Sequence, residues 1–110
     1  MRRIFEFSAY EPTVFVGRSD IDGEGLFSKS DIPAGKIICM IADLGDRDGS
    51  DNWINGYGHK VNHSSYPNSE VVVGNGKCFL KSLSEIGSGD EITTDYRNLP
   101  DEFDKTIYTI

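Results

Sequence analysis

Val61-Asn62-His63-Ser64-Ser65-Tyr66-Pro67-Asn68 is a polar stretch between two apolar runs, with Pro67 and Asn68 where a turn would want them. Such a segment rarely builds a core. Asn62 and His63 bring a donor and acceptor set able to hold a polar ligand, and Pro67 biases Tyr66 toward an extended backbone. By itself the stretch reads as a surface turn. Two further blocks change that reading: Asp22-Gly23-Glu24-Gly25-Leu26-Phe27-Ser28-Lys29 upstream, and Gly89-Asp90-Glu91-Ile92-Thr93-Thr94-Asp95-Tyr96 downstream.

The chain has 110 residues, which makes residues 1–110 one domain with a single core. Its formal net charge of −7 argues against direct binding of nucleic acid and favours a cationic partner such as a Lys-rich peptide. Twelve glycines and many short apolar runs, with no long stripe of helical period, indicate a turn-rich, mainly β fold. Cys39 and Cys78 each sit inside an apolar run, where a free thiol behaves as a small hydrophobe; a disulfide between them stays open. Met1-Arg2-Arg3-Ile4-Phe5-Glu6 lacks the apolar region of a signal peptide, so an intracellular, reduced protein is expected. No apolar run approaches the ~20 residues that span a bilayer, so no membrane partner is expected.

In chain order, Ile4 to Phe7 and Thr13-Val14-Phe15-Val16 read as strands, and the glycines of Ser19 to Gly25 allow a ligand to approach the backbone. Leu26-Phe27-Ser28 resumes a strand. Asp31-Ile32-Pro33-Ala34-Gly35 is a turn leading to a largely buried strand over Lys36 to Ile41. Asp43 to Gly58 reads as loop, with one helical turn near Asn52 to Asn55. Asn75-Gly76 predicts a hairpin between Glu70–Val73 and Lys77–Leu80. A last strand covers Glu91 to Thr94, and Leu99-Pro100-Asp101 can start a short helix. No internal repeat is evident.

Several motifs fail on inspection. Gly23-Glu24-Gly25 lacks the third glycine of a dinucleotide loop, and Ser28 stands in its place. Asp46, Asp48 and Gly49 lack the carboxylates that a calcium loop needs at its first and twelfth positions, where Leu44 and Asn55 stand. Asn62-His63-Ser64 fits a glycosylation sequon, which means little without a secretory signal. His59 and His63 have no third ligand at zinc spacing, so no metal is expected.

Taken together, the three blocks resemble the SET domain, the fold of most protein-lysine methyltransferases that use S-adenosyl-L-methionine. The match runs from about Val14 to Tyr96, with 97–110 as a C-terminal segment closing the cofactor site. Gly58 to Ser64 and Gly23 to Lys29 are most similar to the histone H3 lysine-4 methyltransferase branch, and the small size resembles minimal virus-encoded members. The resemblance implies a β-clip type fold of short curved sheets, with the C-terminal segment threading beneath the Asn-His-Ser segment as a pseudoknot. It implies that Asp22, Gly23, Glu24 and Gly25 hold the methionine part of the cofactor, that Asn62 and His63 flank the same cofactor, and that Tyr96 is the active-site tyrosine. The implied partner is a Lys-containing protein or peptide, such as a histone tail. Self-association to a homodimer is left open.

This chemistry has a physical logic. Methyl transfer from a sulfonium to an amine is an in-line displacement, so positioning supplies much of the rate. The lysine, with a pKa near 10.4, must first be neutral, which a nearby cation and an apolar channel both favour. A tyrosine hydroxyl and main-chain carbonyls then aim the amine. Further channel tyrosines of the lysine-4 branch align with Ile41, Val71 and Asn98, none of which carries a phenol. Ser65 stands where many members have cysteine, and the zinc-binding cysteines that follow the domain are missing, which makes Phe103 and Tyr108 candidates to cover the adenine. Two other classes remain: a SET-fold module that binds without turnover, and a β-clip binding domain of the antifreeze and sialate-synthase kind, suggested by Asp31 to Ile38 alone.

Overall fold

The computed structural model describes residues 13–46, 54–100 and 103. The expected strand over Ile4 to Phe7, much of the 43–58 loop and Tyr108 fall outside them. Among the described residues, seven short strands are arranged in two sheets. The first strand, β1 (Val14–Arg18), pairs antiparallel with β2 (Glu24–Ser28), with Arg18 opposite Glu24. Phe15 and Phe27 face each other across this pair with ring centroids 5.5 Å apart, the cross-strand aromatic contact that fixes its register.

A second sheet contains β3 (Ile37–Asp43), β5 (Ser69–Gly74) and β6 (Lys77–Ser82), with β6 in the middle. Register breaks between Ile37 and Cys39 and between Met40 and Ala42 mark β-bulges in β3. They explain why this strand buries neighbouring residues in pairs, Ile38 with Cys39 and Ile41 with Ala42, rather than alternate ones. The expected hairpin is present: Asn75 and Gly76 have φ of 54° and 76°, the two positive values of a type I′ turn. Cys39 and Cys78 are buried free thiols.

The remaining strands are β4 (Asn62–His63) and β7 (Glu91–Thr94), and the first sheet runs β1-β2-β7-β4. β4 pairs parallel with β7, Asn62 with Thr93 and His63 with Thr94. This lays the C-terminal block directly alongside the Asn-His-Ser segment. Leu26, Leu80, Cys78 and Ile92, from both sheets, have no exposed surface and form the centre of the core with Ile86.

The two sheets are joined by a repeat that the sequence reading missed. Ser28-Lys29-Ser30-Asp31-Ile32-Pro33-Ala34-Gly35 and Ser82-Leu83-Ser84-Glu85-Ile86-Gly87-Ser88-Gly89 share Ser, Ser, Ile and Gly at matching places. Ile32 and Ile86 exchange backbone bonds of 2.7 and 2.9 Å, Gly35 N–H donates to Ser82 O, and Gly89 N–H donates to Ser28 O. Gly35 and Gly89 both need positive φ, 79° and 89°, to close these turns. The turn that suggested a β-clip is therefore one half of a pair of equivalent turns.

Of the helical turn expected near Asn52 to Asn55, Asn52 and Trp53 lie outside the described residues, and Ile54 forms a bridge with Ala42. Described 3₁₀ turns lie at Leu44–Asp46, Gly58–Lys60 and Tyr96–Asn98, the last capped by Asp95, which accepts from Arg97 N–H. The short helix expected from Leu99-Pro100-Asp101 falls mostly outside the described residues; Phe103 N–H donates to Pro100 O at 3.0 Å.

Candidate functional site

Asn62 is the residue through which the site is tied together. Its Nδ2 lies 3.1 Å from Ser19 Oγ, 3.2 Å from Asp22 O, 3.1 Å from Glu24 O and 2.8 Å from Glu91 Oε2. An amide has two hydrogens, so these four acceptors share them. The parallel register of β4 on β7 brings Asn62 to this position beneath the loop of residues 19–25. That loop also folds on itself: Ser19 N–H donates to Gly23 O at 2.9 Å, and Ser19 Oγ accepts from the N–H groups of Ile21 and Asp22.

The glycines of the loop serve different ends. Gly23 has φ of 46° and open space where a side chain would stand. Gly25 is buried, and a Cβ there would fall 2.2 Å from Glu91 Oε2 and 3.1 Å from Ser19 Cβ. Its missing side chain therefore admits the Glu91 carboxylate. Glu91 accepts from Ser19 Oγ at 2.8 and 2.9 Å as well as from Asn62. Sequence reasoning did not single out Glu91, since an acidic residue opening a strand reads as solvent-facing. Asn68 completes the scaffold by donating to Glu91 O and accepting from Thr93 N–H, at 2.8 and 2.9 Å.

His63 and Tyr96 meet on the other side of β4. Tyr96 N–H donates to His63 Nδ1 at 3.1 Å, which assigns the ring hydrogen to Nε2; the 3.7 Å approach of Asp95 Oδ1 to the same nitrogen is then no hydrogen bond. The rings lie 5.2 Å apart. Arg97 holds Asp95 by two side-chain bonds, 2.9 and 2.7 Å, and lowers its pKa to about 2 against the opposing effect of burial.

Tyr96 is half-buried, and its hydroxyl donates to Val61 O at 2.6 Å. Burial chiefly, and the charge of Asp22 secondarily, raise its pKa above the usual phenol value. The phenol is thus uncharged near neutral pH and unsuited to act as a base. It lines a cavity of about 80 Å³ whose walls are mostly apolar, among them Ile41, Val71, Leu80, Leu99 and Phe103. Two of the three positions expected along a lysine channel, Ile41 and Val71, do line it. Asn98 does not: it is exposed, and Leu99 takes the inward place. Phe103, suggested as an adenine cover, is buried on the wall of this cavity.

A second, open groove of about 570 Å³ runs along Gly17, Arg18, Ser19, Gly23 and Glu24. Its size is that of a small-molecule site. Lys60 approaches Glu24 to 2.5 Å at its edge and draws the Glu24 pKa down. All seven residues expected at the site, Asp22, Gly23, Glu24, Gly25, Asn62, His63 and Tyr96, thus belong to one constellation around β4. Among the described residues no group of three His, Cys, Asp or Glu is placed to hold a metal.

No curated protein matches the sequence. Solved structures do match its fold. A Plasmodium falciparum protein assigned as a histone methyltransferase is 23% identical with a TM-score of 0.62, over 76% of this chain and 92% of that one. A humanized mutant of the Chaetomium thermophilum Polycomb Repressive Complex 2 is 18% identical with a TM-score of 0.61, over 81% of this chain and 15% of that one. The methyltransferase domain of human PR domain-containing protein 2 is 15% identical with a TM-score of 0.59, over 76% of each chain. These identities establish likeness of fold. The family model for the SET domain matches residues 42–97, a span that holds both the Asn-His-Ser segment and Tyr96, and by that match the chain belongs to the SET domain family.

Proposed function

We propose that the chain is an S-adenosylmethionine-dependent protein-lysine N-methyltransferase. The observation that carries this reading is the Tyr96 hydroxyl, held by Val61 O on the wall of a mostly apolar cavity, while Asn62, the residue after Val61, ties the glycine loop to β4. The cofactor, when bound, supplies an activated methyl group. Everything else asked of the site is binding, orientation and control of one proton.

A lysine entering the cavity between Ile41, Val71, Leu80 and Tyr96 leaves water behind, which favours its neutral amine. Because the Tyr96 hydrogen is committed to Val61 O, the phenol oxygen is oriented as an acceptor for an amine N–H. The raised pKa of Tyr96 keeps it a neutral hydrogen-bonding group, which suits aiming a lone pair better than removing a proton. Gly23 and the open groove beside it fit a small zwitterionic cofactor, and Asn62 with Glu91 fixes the loop that borders this groove.

A basic substrate is favoured by the net charge of −7. The blocks Gly23 to Lys29 and Gly58 to Ser64, similar to the histone H3 lysine-4 branch, make a histone tail the first substrate to try. Incubation with labelled S-adenosylmethionine and a panel of histones and Lys-rich peptides tests the reading, with label on lysine expected. The lack of phenols at Ile41 and Val71 favours a second reading, a module that binds without turnover. Cofactor binding with no label on any lysine would select it.

A further inference from the structure

We infer that Arg18 is the carboxylate-recognising residue of the proposed cofactor groove, so that the site takes S-adenosylmethionine through the charged α-amino acid end and rejects a ligand lacking the carboxylate. The inference rests on the cofactor reading above and adds a residue that neither motif nor family match singled out.

Arg18 ends β1 directly opposite Glu24 on β2, the position at which a cross-strand ion pair would form. Glu24 turns instead to Lys60, which it meets at 2.5 Å. Among the described residues no carboxylate pairs with Arg18. Arg18 nevertheless lines the groove with Gly17, Ser19, Gly23 and Glu24, and it is the cation among these lining residues.

The electrostatics of the loop make a cation necessary for an anionic ligand group. Asp20, Asp22 and Glu24 lie within five residues, so a free carboxylate approaching the groove meets repulsion unless a positive group faces it. The loop carbonyls do not help, since they accept hydrogen bonds only. Those of Asp22 and Glu24 already serve Asn62, and that of Gly23 serves Ser19 N–H. A guanidinium offers paired N–H donors that match the two oxygens of a carboxylate. The acidic loop and Arg18 therefore present opposite charges to the two ends of an α-amino acid.

The test is calorimetry with S-adenosylmethionine and its decarboxylated analogue, on the wild type and on Arg18→Gln, with a thermal melt to verify folding. The wild type should bind the carboxylate form about 10- to 100-fold more tightly, the range of a charge-assisted hydrogen bond, and Arg18→Gln should abolish that preference. Equal affinity of the wild type for both compounds overturns the assignment of Arg18 while leaving the cofactor reading standing, and this comparison needs no variant. A preference that survives in folded Arg18→Gln overturns it as well. Failure of the wild type to bind either compound at millimolar concentration overturns both.

Discussion

Replacing Gly25 by Ala puts a methyl group where the Glu91 carboxylate now lies. The added Cβ would be 2.2 Å from Oε2 and 2.9 Å from Cδ, so relief to ordinary contact at 3.4 Å requires the oxygen to move by about 1.2 Å. Glu91 is the end of a flexible side chain and can move. Doing so breaks its bonds of 2.8–2.9 Å to Ser19 Oγ and 2.8 Å to Asn62 Nδ2. Bonds to a charged acceptor are worth about 1.5–3 kcal/mol each, and the partly exposed carboxylate regains some of that from water, so the expected cost is about 2–4 kcal/mol. For a domain of this size that is a fall in melting temperature of about 10–20 °C. The assay is thermal and denaturant unfolding of a double-mutant cycle with Glu91→Ala, which removes the obstructing atoms. Gly25→Ala should then cost under about 1 kcal/mol, giving a coupling well above 1 kcal/mol. Coupling below about 0.5 kcal/mol, or a neutral Gly25→Ala in the wild type, would refute the account of the loop.

Asn62→Ala removes the shared donor from Ser19, Asp22, Glu24 and Glu91; unfolding measurements should show a loss of about 1–3 kcal/mol, and calorimetry a weaker affinity for S-adenosylmethionine. Asp95 supports the fold through a carboxyl whose pKa is lowered to about 2. Its contribution is present above the unfolded value near 3.9 and is lost as pH falls toward about 2, so the wild type should lose its advantage in melting temperature over Asp95→Asn between about pH 4 and 2. A constant difference across that window would count against the Arg97 pairing.

Much of the fold is legible in the sequence because its elements are locally encoded. Asn75-Gly76 is a chemical instruction for a type I′ turn, and both residues take the positive φ it requires. The apolar runs give the strands. What is not legible depends on long-range backbone pairing. The repeat of Ser28–Gly35 and Ser82–Gly89 is hidden because Lys29, Pro33 and Ala34 correspond to Leu83, Gly87 and Ser88; the likeness lies in exchanged bonds such as Gly35 N–H to Ser82 O and Gly89 N–H to Ser28 O. The site shows the same division. Asn62 and Tyr96 announce themselves by motif, whereas Glu91 is recognisable only once β7 is paired between β2 and β4 and its carboxylate reaches Asn62. Asn98 lies off the cavity because the 3₁₀ turn after Asp95 turns it outward and sets Leu99 against the cavity wall. Phe103 follows it inward, with its N–H on Pro100 O at 3.0 Å.

The measurement that bears most directly on the central claim is the paired determination of methyl-transfer rate and cofactor affinity for the wild type and Tyr96→Phe, with a Lys-rich peptide as acceptor. The hydroxyl is expected to act on the reacting amine, so its removal should lower the single-turnover rate by about one to two orders of magnitude, as for a lost hydrogen bond of about 1.5–3 kcal/mol. Affinity for S-adenosylmethionine should barely change, because the loss falls on the transition state. The bond to Val61 O is lost as well, so a small fall in melting temperature is expected alongside. A Tyr96→Phe protein that transfers methyl groups at the wild-type rate, with the same product, would contradict the account.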